Sequence, residues 1–338
     1  MTAWNEWSLL GSLLPALRRH QGPGVLVGPG DDAAVLKVGG RLWVETTDCL
    51  VEGTHFRLSW AGRVPGGERA FWRSLGWKLV AATVSDLAAM GRVRPRSFLV
   101  TAGLPAGLSP RRIGWITEGT QTCARATGFS IVGGDTVRSS TLFLSGSAAG
   151  EAEAGGLKLR GGARPGHRIG ITGRLGEART GLALLEESRT PAASWARPFV
   201  QRFLFPRARL KEGRALGGMK GVGALIDISD GLWRSLELVA EASGTGYEVE
   251  SDRLPIGLAF HRWACSRGTD PFAWAAAGGE DYELLFSYPE SLWGALKDRL
   301  SFRDIGRVLP RRAGRRLLRG GKPLRNLPVF EHIGESSY

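Results

Sequence analysis

The sequence predicts two domains of the α/β or α+β kind, each a mixed sheet flanked by helices. Three observations carry that expectation. The chain has 338 residues, more than one typical hydrophobic core organises and enough for two of moderate size. Strand-like and helix-like segments alternate through both halves, the pattern of sheets covered by helices. Near Gly155-Gly156 that pattern stops and starts afresh, which places a boundary between residues 1–155 and 156–338.

In chain order, residues 5–20 carry apolar pairs at helical spacing, and "GPGVLVGPGDDAAVLKVGGRLWVETTD" then reads as short strands separated by Gly and Pro turns. From Gly67 to Met90 the positions Phe71, Leu75, Leu79, Ala82 and Leu87 recur at helical intervals, and Gly91 supplies a stop. Ser109-Pro110 is a good cap and first-turn pair for a helix running to Gly128. "FSIVGGDTV" and "LFLSGSAAGEA" are strand-like. In the second half "GHRIGITG" reads as a strand, "EARTGLALLEES" as a helix, and a basic segment follows through Lys211. "GALIDISDGLWRSLELVAEASG" reads as a strand ending near Asp227, a tight turn and a helix from about Ser229, with Leu232, Leu236 and Val239 inward. "RVLPRRAGRRLLRGGKPLR" looks like a hairpin turning at its Gly-Gly pair, with solvated basic flanks.

Cys49, Cys123 and Cys265 are far apart with no metal-type spacing, the pattern of reduced thiols in the cytoplasm. "MTAWNEWSLLGSLLPALRRH" lacks a basic leading region and carries Glu6, and no apolar run approaches the length of a membrane span, so neither export nor a membrane is expected. The formal charge of +13 suits nucleic acid, a membrane surface or an enzyme handling anions. The twelve tryptophans are dispersed and no nucleic-acid motif appears, which disfavours a nucleic-acid partner.

The aspartates are more informative. Eight of twelve fall in a few short motifs: Asp31, Asp32, Asp48, Asp86, Asp135, Asp227 and Asp230 sit among Gly, Ala, Ser, Thr and aliphatic neighbours in "GDDAAVL", "TTDCLVEG", "VSDLAAMG", "VGGDTV" and "IDISDGL", and Asp281 follows a Gly-Gly pair in "GGEDYELLF". A single Asp beside Gly is ordinary turn chemistry, and Ser229-Asp230 alone could cap a helix. Repetition of cramped, partly dry carboxylates calls instead for a cation, because desolvating them alone is costly. Mg²⁺, a hard ion that prefers carboxylates with phosphate oxygens, fits best. Glycines beside the acids let backbone N–H groups approach an anion. Neither a G-x-x-x-x-G-K-[ST] loop nor a strand-linked G-x-G-x-x-G is present, so any nucleotide site is neither a P-loop nor a Rossmann site.

In order, "NEWSLLGSLLP", "GPGDDAAVL", "TTDCLVEGTHF", "SDLAAMG", "GGDTVRS", "RGGARPG", "DISDGL", "GGEDYELLF", "DIGRV" and "PVFEHI" resemble the blocks of the thiamine-monophosphate kinases. That family lies within the superfamily of aminoimidazole ribonucleotide synthetase. The resemblance implies a two-domain synthetase-like fold whose N-terminal domain forms a β-barrel at a homodimer interface. It implies several Mg²⁺ ions per site, bound by Asp31, Asp32, Thr46, Thr47, Asp48, Asp86, Asp135, Asp227 and Asp230. ATP would contact Gly134, Asp135, Arg160 and Ser229, and thiamine monophosphate would contact His55, Glu280 and Phe330. Outside these blocks His55 would read as a structural histidine and Phe330 as core. His167, Thr83 and Glu331 depart from the family pattern without removing a metal ligand. The implied activity is phosphoryl transfer from ATP to thiamine monophosphate; the alternative is a superfamily member with another acceptor. In "GGEDYELLF", Glu280 is expected to face the cationic substrate while Asp281 and Glu283 organise the turn.

Overall fold

The computed structural model of the chain describes residues 6–19, 21–187 and 194–323. Helix α1 (Glu6–Arg19) precedes a first sheet built from β1 (Val25–Val27), β2 (Ala34–Val38), β3 (Arg41–Val51), β4 (Gly91–Leu104), β5 (Ser130–Arg138) and β6 (Phe143–Leu157). Its spatial order is β1-β2-β3-β6-β4-β5. Only the β4–β5 pair is parallel, and its crossover is helix α3 (Pro110–Thr127), as a parallel connection requires. Helix α2 (Gly67–Ala89) links β3 to β4.

A second sheet takes β7 (Arg168–Thr172), β8 (Leu225–Ile228), β9 (Thr245–Glu250), β10 (Glu283–Tyr288), β11 (Phe302–Pro310), β12 (Arg315–Arg319) and β13 (Lys322–Pro323) in the order β13-β12-β9-β11-β7-β10-β8. The helices of this half of the chain are α4 (Glu177–Glu186), α5 (Arg197–Leu204), α6 (Leu210–Gly217), α7 (Leu232–Ser243), α8 (Leu258–Ser266), α9 (Pro271–Ala277) and α10 (Trp293–Lys297). The mixed α/β architecture with helix-flanked sheets is therefore as expected. No helix among the described residues is long and apolar enough to cross a membrane.

Several local expectations hold for the stated reasons. Ser109 caps α3 by accepting from the Arg112 N–H, and Gly128 ends it in a left-handed conformation. Gly320 and Gly321, at φ 53° and 75°, turn β12 into β13. Others are corrected. Helix α7 starts at Leu232 rather than near Ser229, with Gly231 at its N-cap; the Ser229 hydroxyl donates instead to Asp227 Oδ1 at 3.1 Å. The basic stretch before Lys211 is α5 and the start of α6, two eight-residue helices too short to declare themselves by periodicity. The first sheet is open, with β1 and β5 at its edges, so it closes no barrel within one chain. Phe330 and Glu331 lie outside the described residues.

Helix α2 is the element that positions the site. It is apolar nearly all round, with Phe71, Leu75, Leu79, Val80, Val84 and Leu87 all buried, and such a helix belongs in a core rather than on a surface. It packs on β3 and β6 of the first sheet and reaches β8, α5 and α6 of the second half. The apolar core accordingly runs without a break from Val44 and Phe98 to Ile171, Ile226 and Val249. Against α3 the approach is backbone to backbone. A Cβ at Gly119 would fall 1.9 Å from the Arg73 carbonyl oxygen, and one at Gly76 would fall 2.0 Å from that of Ile116. Gly119→Ala is expected to lower stability by about 2 kcal/mol through overpacking, although alanine favours a helix by about 1 kcal/mol. Urea unfolding with a lowered midpoint checks this.

Candidate functional site

Three carboxylates from three elements converge. Asp32 comes from the turn before β2, Asp86 from the last turn of α2 and Asp227 from β8, and one oxygen of each lies within 4.8 Å of the others. Asp32 and Asp227 are buried, 8% and 3% exposed. Hydroxyls hold the acids in place: Thr46 donates to Asp86 Oδ2 at 2.6 Å, and Ser85 to Asp227 Oδ2 at 2.7 Å. Arg160 grips Asp32 with both Nη2 (2.8 Å) and Nε (3.2 Å), while its backbone N–H donates to Asp31 Oδ2 at 3.2 Å.

Burial raises the affinity of all four acids for protons. Burial and the neighbouring Asp32 push Asp31 up to about 6; burial and Asp32 push Asp227 up to about 7. Asp86 rises well above the usual carboxylate range through burial and its Asp227 and Asp32 neighbours. Asp32 is raised by burial against the opposing pull of Arg160. Burial works against the charge of Arg160 too, but Asp32, Asp31 and Asp227 outweigh it and hold the guanidinium charged. Oxygen ligands in this arrangement suit a hard divalent cation such as Mg²⁺.

The other sequence-predicted residues divide. Asp48 and Asp230, both half-buried, add to the negative potential at Asp86 and Asp227 respectively. Thr46 shares its sheet face with Asp48, whereas exposed Thr47 donates to the Gly146 carbonyl and accepts from Ser147, on the opposite face. Asp135 pairs in register with Thr101, Thr101 with Ser145, and Ser145 with Cys49. Three strand spacings, about 14 Å, therefore separate Asp135 from β3, and both it and Gly134 are exposed on β5. His55 Nδ1 accepts from the Val51 N–H at 3.1 Å.

The "GGEDYELLF" stretch is a strained turn leading into β10. Glu280 and Tyr282 take positive φ, 64° and 49°, an uncommon state for side-chain-bearing residues and one that clusters at functional sites. Their N–H groups staple the turn to β8 by donating to the carbonyls of Ser229 (2.6 Å) and Ile228 (2.9 Å). The three acids have three partners. Asp281 accepts from Gly176 and Ala178 N–H at the start of α4. Glu283 is buried between Thr172, Arg202 and Arg209. Glu280 Oε1 stands 2.6 Å from Nζ of buried Lys78 on α2. Thus Asp281 and Glu283 do organise the turn's surroundings. Sequence reading missed Lys78, Arg202 and Arg209; the one available signal was a lysine inside the apolar run "GWKLVAA".

Residues 30–152, which include Asp32 and Asp86, match the family model described as AIR synthase related protein, N-terminal domain; the fold of that segment is of this class. Among curated proteins, thiamine-monophosphate kinase of Mycobacterium tuberculosis (strain CDC 1551 / Oshkosh) is 33% identical over 94% of this chain and 89% of its own. The enzyme of that name from Bacillus subtilis (strain 168) is 32% identical over 87% and 86%. A solved structure, AaThiL complexed with AMPPCP and TMP, superposes with a TM-score of 0.81 at 29% identity, covering 95% of both chains. The chain belongs to the thiamine-monophosphate kinase family.

A stability test follows from the crowded acids. Asp227 binds its proton more tightly folded than unfolded, so the folded state carries the extra proton between about pH 4 and 7. Unfolding free energy of the metal-free protein therefore falls as pH rises through that window. Asp227→Asn should unfold at higher urea than the parent at pH 8 in chelator, by on the order of 1–2 kcal/mol, with the difference shrinking toward pH 4. Mg²⁺ should stabilise the parent and not the variant.

Proposed function

We propose that the protein transfers the γ-phosphoryl group of ATP to the phosphate of thiamine monophosphate in a Mg²⁺-dependent reaction, giving thiamine diphosphate and ADP. The observation that carries this reading is the convergence of Asp32, Asp86 and Asp227, with Arg160 across Asp32. Bound there, Mg²⁺ would offset the charge of phosphate oxygens and help to align them. The acceptor needs no strong base, because an alkyl phosphate has a second pKa of about 6 and is already an anion at neutral pH. What the chain must supply is neutralisation and positioning of two repelling anions.

Asp32, Asp86 and Asp227 would hold the metal, with Asp31, Asp48, Asp230 and the Thr46 hydroxyl as the further oxygen groups nearby. Arg160, oriented by its two-point contact with Asp32, clamps phosphate in a geometry suited to a planar guanidinium. Ser229 is tied to Asp227 at the same place. Glu280 offers a negative charge to the cationic acceptor, and His55 is a further contact for it.

The working form is a cytoplasmic homodimer. Free cysteines at 49, 123 and 265 suit a reducing compartment. Edge strand β5 exposes Ile131, Val132 and Val137, and Leu99 is exposed on neighbouring β4. Such an edge invites pairing. Joining two open sheets there would build an intermolecular barrel and bring exposed Gly134 and Asp135 into a nucleotide site near the interface.

Incubation with ATP, Mg²⁺ and thiamine monophosphate, followed by chromatography, should yield thiamine diphosphate only with the metal present; absence of product sinks the reading. Asp86→Asn and Asp227→Asn should cut kcat by on the order of 100- to 1,000-fold or more while the protein stays folded. Val132→Asp should shift the protein toward monomer in light scattering.

A further inference from the structure

We propose that Lys78 is a positioning residue for the acceptor: by holding one oxygen of Glu280, it presents the other to the substrate. The inference rests on the reading that Glu280 faces the cationic acceptor. Lys78 lies in the middle of α2, in the first half of the chain, and Glu280 in the strained turn before β10, in the second. The lysine side chain is 3% exposed and Nζ is 2.6 Å from Oε1. Nζ also lies 3.6 Å from the centroid of the Phe203 ring on α5, so aliphatic and aromatic packing fixes it from the other side. Burial lowers the pKa of the ammonium, opposed by Glu280 and then Asp48.

A purely structural pair would fit these facts poorly. Buried ion pairs are commonly replaceable by apolar residues without loss of stability, and here the ammonium has Glu280 as its one close partner and no well-aligned hydrogen bond among the described residues. Leaving such a group underused in the interior is unfavourable. Glu280 meanwhile takes a left-handed backbone conformation that its side chain disfavours. Oε2 of Glu280 has no partner among the described residues, and the carboxylate remains 15% exposed. Two unfavourable arrangements at one contact, with a carboxylate that stays partly exposed, describe a group held for a ligand. The ligand chemistry is a cation or an amino donor, which the acceptor supplies.

The test is steady-state kinetics with Mg²⁺, varying ATP and thiamine monophosphate separately. Lys78→Met should raise KM for thiamine monophosphate about tenfold or more, leave KM for ATP within about twofold, and be partly rescued in Lys78→Arg. In a Glu280→Gln background, Lys78→Met should add less than about twofold, because residues acting through one another are not additive. The double variant also removes the stranded carboxylate charge, so it keeps the comparison available if Lys78→Met alone does not fold. An unchanged KM for the acceptor, an equal rise for ATP, or effects that multiply in the double variant would each overturn the assignment. An inactive parent protein would instead overturn the functional reading on which it rests.

Discussion

Three carboxylates whose oxygens lie within 4.8 Å of one another, in a place water scarcely reaches, cannot all be ionised without a cation. At that separation each pair repels by roughly 3–4 kcal/mol for an effective dielectric constant of about 20. Arg160 offsets one charge. Two remain on the triad, which is the charge of one divalent ion. Without a metal the other remedy is protonation, and the raised affinity of Asp86 and Asp227 for protons expresses it. A metal bound there would compete with protons for the same oxygens, and much of the remaining architecture serves to keep those oxygens together despite their repulsion.

That containment is built from elements which have little freedom to move. Asp86 ends a helix buried on nearly all sides, and the helix is locked against α3 where Gly76 and Gly119 allow backbones to touch. Asp227 lies on β8, whose four residues are all buried and whose ladder with β10 runs from Ile228 to Leu225. Thr46, Ser85 and Ser229 contribute hydroxyl donors, which orient the carboxylates without neutralising them. An acid on a surface loop would relieve the repulsion by turning into water; these cannot.

The acids themselves were legible in the sequence because Asp among Gly, Ala and Ser contradicts the ordinary surface pattern, and the long helices were legible because their apolar spacing is local. What was not legible depends on tertiary partners. Ser229 has every sequence feature of a helix cap, yet its hydroxyl turns back to Asp227 and Gly231 takes the cap position. Thr47 adjoins Thr46 in sequence, but strand alternation sends it to the far face. Asp135 sits in as suggestive a motif as Asp32, but sheet order places β6 and β4 between its strand and β3. Arg202 and Arg209 fall in a basic stretch that reads as surface, whereas both meet at the buried carboxylate of Glu283.

Two kinds of charge recognition are joined by one short path. The Glu280 N–H donates to the Ser229 carbonyl, and the Ser229 hydroxyl donates to Asp227. The turn proposed to receive a cationic acceptor is thus two hydrogen bonds from the carboxylates proposed to hold the metal. In a transfer between two anions the barrier depends on their approach and alignment more than on proton removal. A short link between the two proposed subsites would meet that requirement directly, because it would fix the acceptor relative to the phosphoryl donor. On that proposal the left-handed backbone at Glu280 and Tyr282 is intelligible: the chain accepts local strain where a relaxed turn would let the two subsites drift apart.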